Sequence, residues 1–202
     1  MDATTTVALA PAPPPERHDA RLAGDLAIWI FILAELLAFG VFFAAYAFAR
    51  ANDPALFAAE QLALNRSAGA INTVLLLTAS YFVVRAVHAA EAGRGHRGAR
   101  WLLAALGCAA GFVAIKLAEY AAAFEAGISL SSSTFHMFYL SLTFFHFMHV
   151  LLGMVILGAL WVNARRGRYD ADNMNGIESG AAYWHMVDLV WLVLFPLVYV
   201  IR

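Results

Sequence analysis

The sequence predicts an all-α integral membrane protein, a bundle of five transmembrane helices with a cytoplasmic amino terminus. Three observations carry that reading. Of the 202 residues, 62% are hydrophobic and 13% charged, with a mean hydropathy of +0.70, whereas soluble domains carry roughly 25% charged residues. The apolar residues gather in five runs, roughly Leu26–Phe48, Ala68–Ala90, Trp101–Phe124, Met137–Val162 and Ala181–Ile201, each close to the ~20 residues that span a bilayer core. Short polar connectors such as Arg94–Arg100 and Arg165–Asp170 separate them. The runs are continuously apolar and lack the period-two alternation of a β-barrel.

Residues 1–24 stand apart. Ala10–Pro15 reads APAPPP, and Glu16, Arg17, His18, Asp19 and Arg21 follow. A secretory signal places a longer apolar segment after its basic residues; here Val7–Ala10 is short and precedes the charges. We expect a disordered Pro-rich cytoplasmic tail, followed by one membrane domain over residues 25–202.

Lys and Arg counts outside the runs set the orientation. Arg17, Arg21, Arg94, Arg97, Arg100, Arg165, Arg166 and Arg168 fall on one side, eight in all, against Arg50, Arg66 and Arg202 on the other. The more basic side, with the amino terminus, is expected in the cytoplasm. A net charge of −1 without basic blocks gives no reason to expect nucleic acid. The single cysteine, Cys108, lies in an apolar run and excludes a disulfide framework. No nucleotide, dinucleotide or HExxH motif is present, so any chemistry belongs to polar groups inside the runs.

Those groups are Glu35, Arg85, His88, Lys116, Glu119, His146, His149, His185 and Asp188. Each costs several kcal/mol in lipid unless paired or wet. In the first run, Glu35 lies ten residues past Asp25, about 15 Å deep. In the fourth, His149 lies twelve past Met137, about 18 Å from the opposite face. Both fall near the midplane of a core about 30 Å thick, so a Glu35–His149 contact, direct or through water, is expected if these helices are neighbours. The alternative is a neutral Glu35 bonded to a backbone carbonyl.

The second run carries Gly69, Asn72, Thr73, Thr78 and Ser80, a pattern of close helix–helix contact. In the third, Lys116 and Glu119 are three apart on one face and form an intrahelical ion pair, read either as structural or as part of a proton relay. In the fourth, His146, His149 and Gly153 share a face. Metal or haem ligation is the less favoured reading, since zinc needs further ligands; hydrogen bonds to carboxylates or backbone between helices are preferred. In the fifth, His185 and Asp188 share a face flanked by Trp184 and Trp191, which serve either the lipid interface or packing. Pro196 is expected to kink this helix or free a carbonyl for a side-chain partner.

Phe31–Arg50, Ile71–Ser80, Lys116–Tyr120, Thr143–Gly153 and Glu178–Trp191, ending in YWHMVDLVW, together resemble subunit III of the haem–copper oxidases, strings in the family's order that cover nearly everything after residue 24. The five-helix count and the Asn65–Ser80 string resemble the NorE-type accessory protein of nitric oxide reductase in particular. Phe145–His149 reads FHFMH, where the family string is GxHGLHV-like. The resemblance implies a subunit without catalytic residues, metal or cofactor of its own. It implies haem, with copper or non-haem iron, in a partner subunit I, and a role in assembly, sustained turnover and proton uptake in the respiratory chain. It also implies membrane lipids as partners and a bacterial inner (plasma) membrane location. Glu35, Lys116, Glu119, His146, His149, His185 and Asp188 are then structural or proton-related candidates. Two other classes compete: a stand-alone proton or small-molecule carrier, and a di-haem cytochrome using His149 and His185. Carriers show internal repeats and paired helix breaks; no repeat is evident, and Pro196 has no counterpart in another run.

Overall fold

The computed structural model describes residues 24–171 and 173–201. The predicted tail therefore lies outside the described residues except for Gly24, as does Arg202. The described chain is helical: α1 (Leu26–Asn52), α2 (Pro54–Gln61), α3 (Arg66–Glu91), α4 (Gly95–Glu125), α5 (Thr134–Arg165) and α6 (Asn175–Phe195), the last continued by a π-helical turn at Pro196–Val200. Five of these segments are long and apolar enough to cross a membrane: α1, α3, α4, α5 and α6 with its π-helical turn.

Local chemistry fixes the ends. The side chains of Asp25, Asn65 and Ser133 cap α1, α3 and α5, accepting from the amides of Ala27, Ala68 and His136, which satisfies otherwise orphaned N–H groups. Helices α3 and α4 stop at Gly93 and Gly127, whose φ angles are 67° and 75°. There Arg94 N donates to Ala89 O and Ile128 N to Ala123 O, the doubly bonded stop that a left-handed glycine permits. α4 and α6 begin six residues earlier than their apolar runs, because helices continue through polar turns beyond the hydrocarbon. α2 was not anticipated. Its signal is the dipeptide Asp53–Pro54: the Asp53 carboxylate accepts from Leu56 N at 3.2 Å, and proline suits the first helical position.

Helix α6 is the hub. It packs on α1, α3 and α5, while α3 pairs with α4, and α4 with α5. In α6 and its π-helical turn, 56% of the most apolar stretch is buried, against 11% for α1; α1 is therefore a peripheral helix with a broad lipid face including Leu33, Leu37 and Val41. Trp184 and Trp191 are fully buried, so both serve packing rather than the lipid interface. Close approaches seat them: a Cβ at Gly153 would lie 2.9 Å from Trp184 Cε3, and one at Gly69 would lie 2.6 Å from Phe195 Cε2. The expected small-residue contact thus forms through Gly69. The Thr78 hydroxyl turns back on its own helix and donates to Val74 O at 2.7 Å.

At Pro196 α6 passes into the π-helical turn. Gln61 of α2, fully buried, donates through Nε2 to Val198 O at 2.9 Å and Leu197 O at 3.4 Å, and lies 3.2 Å from Tyr46 Oη. The expected side-chain partner exists, but it serves carbonyls after the proline rather than before it. At the amino-terminal end of the bundle, Gly24 N donates to Glu178 Oε2 at 2.9 Å and Asp25 N to Ser179 Oγ at 3.0 Å, tying the start of α1 to α6.

Candidate functional site

The intramembrane polar residues gather in three clusters. The first joins α1 to α5: Glu35 Oε2 lies 3.0 Å from His149 Nε2, and His149 Nδ1 lies 2.8 Å from Phe145 O. A carbonyl only accepts, so Nδ1 carries a proton and donates. The remaining Nε2–carboxylate contact then holds one proton, whether as Glu35 O–H to neutral imidazole or as imidazolium to carboxylate. Phe39 and Phe145 flank the imidazole edge-on, with centroids 5.2 and 4.6 Å away. Only 20% of the Glu35 side chain is exposed, on the flank of the peripheral helix.

The second cluster joins α3 to α6. Ser80 Oγ donates to Asp188 Oδ2 in a short hydrogen bond, and His185 Nδ1 lies 3.6 Å from the same oxygen. Asp188 is buried and His185 partly exposed. Nearby, Trp191 Nε1 donates to Thr73 Oγ1 at 2.9 Å, and Thr73 donates to Gly69 O.

The third cluster surrounds Lys116, which is fully buried. Its ammonium donates to Glu119 Oε2 at 3.0 Å and to Tyr199 Oη at 2.7 Å. Tyr139 and Tyr199 hydroxyls donate to Glu119 Oε1 at 3.0 and 2.7 Å. The rings of Tyr120, Tyr139, Trp191 and Tyr199 lie 5.0–5.8 Å from Nζ, within cation–π range. The predicted Lys116–Glu119 pair is therefore the centre of a larger aromatic cage. Tyr120 stands one turn beyond Lys116 on α4, whereas Tyr139 and Tyr199 sit among apolar residues on α5 and in the π-helical turn, where spacing within one helix does not reveal them.

His146 does not follow its expectation. It is completely buried, and neither ring nitrogen has a hydrogen-bond partner among the described residues. Its neighbours are the rings of Trp191 at 5.2 Å, Phe112 at 5.8 Å and Phe39 at 6.4 Å. On this helix face aromatic rings pack around the side chain. His146 and these aromatics stand between the Glu35–His149 pair and the lysine cage, and no hydrogen bond links the two clusters among the described residues. Arg85, also inside a run, donates through Nη1 to Tyr81 Oη at 2.8 Å.

Sequence reasoning also missed Gln61 and the Glu60–Ser133–His136 group, where Ser133 Oγ donates to Glu60 Oε2 at 2.9 Å and His136 pairs with the same carboxylate. The histidine three residues after a helix-capping serine was its available signal. Among the described residues no group of three or more His, Cys, Asp or Glu is placed to hold a metal ion.

Fold and polar clusters together define a multi-pass helical membrane protein whose buried charges are paired by its own side chains. The sequence model of cytochrome c oxidase subunit III matches residues 20–201, and the chain belongs to that family. It is 32% identical to the cytochrome c oxidase subunit 3 of Thermostichus vulcanus, over 92% of this chain and 90% of that one. It is likewise 32% identical to that of Synechocystis, over 93% and 81% respectively. A heme-copper oxidase subunit I+III of Aeropyrum pernix is 29% identical over 87% of this chain and 22% of its own length.

Proposed function

We propose that the chain is the accessory subunit III of a haem–copper respiratory complex in a bacterial inner membrane, packed against a haem-bearing subunit I. The observation that carries this reading is the family match over residues 20–201, which takes in all the described residues. The fused subunit I+III relative supports subunit I as the partner, since fusion holds two chains within reach of each other. Haem and copper then belong to the partner, and this chain contributes assembly, stability and sustained turnover. The internally paired Lys116 cage and the Ser80–Asp188 bond suit a scaffold. His149 is engaged at both nitrogens by Glu35 and Phe145, which disfavours it as a haem ligand. The separation of the polar clusters by rings disfavours a carrier. The eight-to-three bias in basic residues supports a cytoplasmic amino terminus.

The relatives named above favour an oxygen-reducing partner. The NorE-type reading stays as the second one, supported by the five-helix count and the Asn65–Ser80 string. Affinity purification of the tagged chain from mildly solubilised membranes tests both. A co-purifying subunit I with a haem spectrum and oxygen uptake is expected; nitric oxide uptake without oxygen uptake would favour the second reading. A Soret band on this chain alone would overturn both.

A further inference from the structure

The amino-terminal side of the α3–α4 pair carries a charge arrangement that the subunit's proposed role leaves unused. Arg85 lies six residues before the end of α3 at Glu91, about 9 Å along the axis and so within the span. Its guanidinium sits 4.9 Å above the centroid of Trp101 on α4 and 5.8 Å from that of Tyr81. Arg97 and Arg100, in the first turns of α4, line with Arg85 and Trp101 a depression of about 430 Å³ that reaches Ala104. A smaller hollow behind it is bordered by Arg94 and His88. Arg85, Arg94, Arg97 and Arg100 are exposed, and among the described residues none forms an ion pair with a carboxylate. The amino terminus of α4, which has no side-chain cap, opens at the same end and adds partial positive charge.

Below the arginines the surface turns apolar and smooth. Ala104, Gly107, Cys108 and Gly111 follow Arg100 along one flank of α4; a Cβ at Gly107 would meet nothing within 4 Å, and one at Gly111 would lie 3.3 Å from Leu75 Cδ1 on α3, where the strip borders the neighbouring helix. Trp101, stacked on Phe82 at 5.5 Å, marks the level where the wet and apolar parts meet, the usual place of aromatic side chains in membranes. Guanidinium groups grip phosphate with paired N–H donors, and basic pockets between transmembrane helices favour anionic headgroups.

We propose that this depression seats one anionic phospholipid from the leaflet on the amino-terminal side. Arg85, Arg97 and Arg100 hold its phosphate against Trp101, and an acyl chain lies along Ala104–Gly111. The depth of Arg85 and the apolar strip beneath it select a lipid over a soluble anion, which would use only the outer arginines.

Native mass spectrometry of the full chain in detergent, titrated with phosphatidylglycerol or phosphatidylcholine of equal chain length, tests this. Phosphatidylglycerol should be retained at least about tenfold better, and Arg85→Gln should weaken it about fivefold. The triple change R85Q/R97Q/R100Q should weaken it on the order of a hundredfold, while R85K/R97K/R100K keeps the preference and Arg50→Gln changes nothing. The lysine variant separates lost charge from lost folding. Equal retention of the two lipids would overturn the proposal, as would undiminished retention by the glutamine triple variant. Displacement of phosphatidylglycerol by millimolar inorganic phosphate would overturn it in favour of a soluble-anion site.

Discussion

Glu35 Oε2 stands 3.0 Å from His149 Nε2, bridging the peripheral α1 to α5 with a single shared proton. Apart from the Gly24–Glu178 and Asp25–Ser179 bonds at its start, helix α1 meets α5 and α6 largely through apolar surface, so this bond and those ties together fix its rotation and depth.

A double-mutant cycle reads the strength of that bridge. Glu35→Leu and His149→Leu should each destabilise the protein in detergent unfolding, with a coupling of about 1–2 kcal/mol between them. Additive effects would mean that the two side chains do not hold each other.

The lysine cage makes a sharper test of pairing. Lys116→Met leaves the largely buried Glu119, 11% exposed, with its tyrosines but without its counter-charge, and should cost about 2 kcal/mol or more. Adding Glu119→Gln to it should recover part of that loss, because the uncompensated charge is gone. The measurement is the unfolding midpoint of both variants side by side. A double variant worse than the single one would contradict the pairing.

His146 predicts the opposite sign. Two buried nitrogens without partners among the described residues carry an unrecovered desolvation cost of about 1–3 kcal/mol, and the rings of Trp191, Phe112 and Phe39 lie beside the imidazole. His146→Leu should therefore leave stability unchanged or raise it by up to about 1 kcal/mol. A loss above about 2 kcal/mol in the same assay would assign the imidazole a polar partner.

Orientation is open to reporter fusions. With eight basic residues on one side against three on the other, fusions after Gly93 and Arg168 should read as cytoplasmic. Fusions after Ala126 and at Arg202 should read as external. An even number of crossings, or inverted signals, would refute the topology.

The spans and three polar pairings were legible in the sequence because each rests on spacing within one helix or on depth. Lys116 and Glu119 are helical neighbours, as are His185 and Asp188, and the Glu35–His149 contact follows from matching depths. The rest depends on which helices meet. Tyr199 reaches Lys116 only because α6 ends beside α4, and Ser80 finds Asp188 only because α3 packs on α6. His146 illustrates the reverse limit: its spacing from His149 promised a second polar partner, yet its side of α5 faces Trp191 and Phe112. α2 escaped a hydropathy reading because eight residues are too few to span anything, although its proline and capping aspartate announce it.

The position of the hub helix has a consequence for biosynthesis. α6, on which α1, α3 and α5 pack, leaves the ribosome after all of them. Until it arrives, Thr73 and Ser80 on α3 have neither Trp191 nor Asp188, and Lys116 on α4 lacks Tyr199. Lys116 nevertheless has Glu119 one turn away from the moment α4 forms, so this helix enters the bilayer already neutralised. The cage then closes when α6 inserts, making the last of these helices the one that commits the earlier ones to their final places.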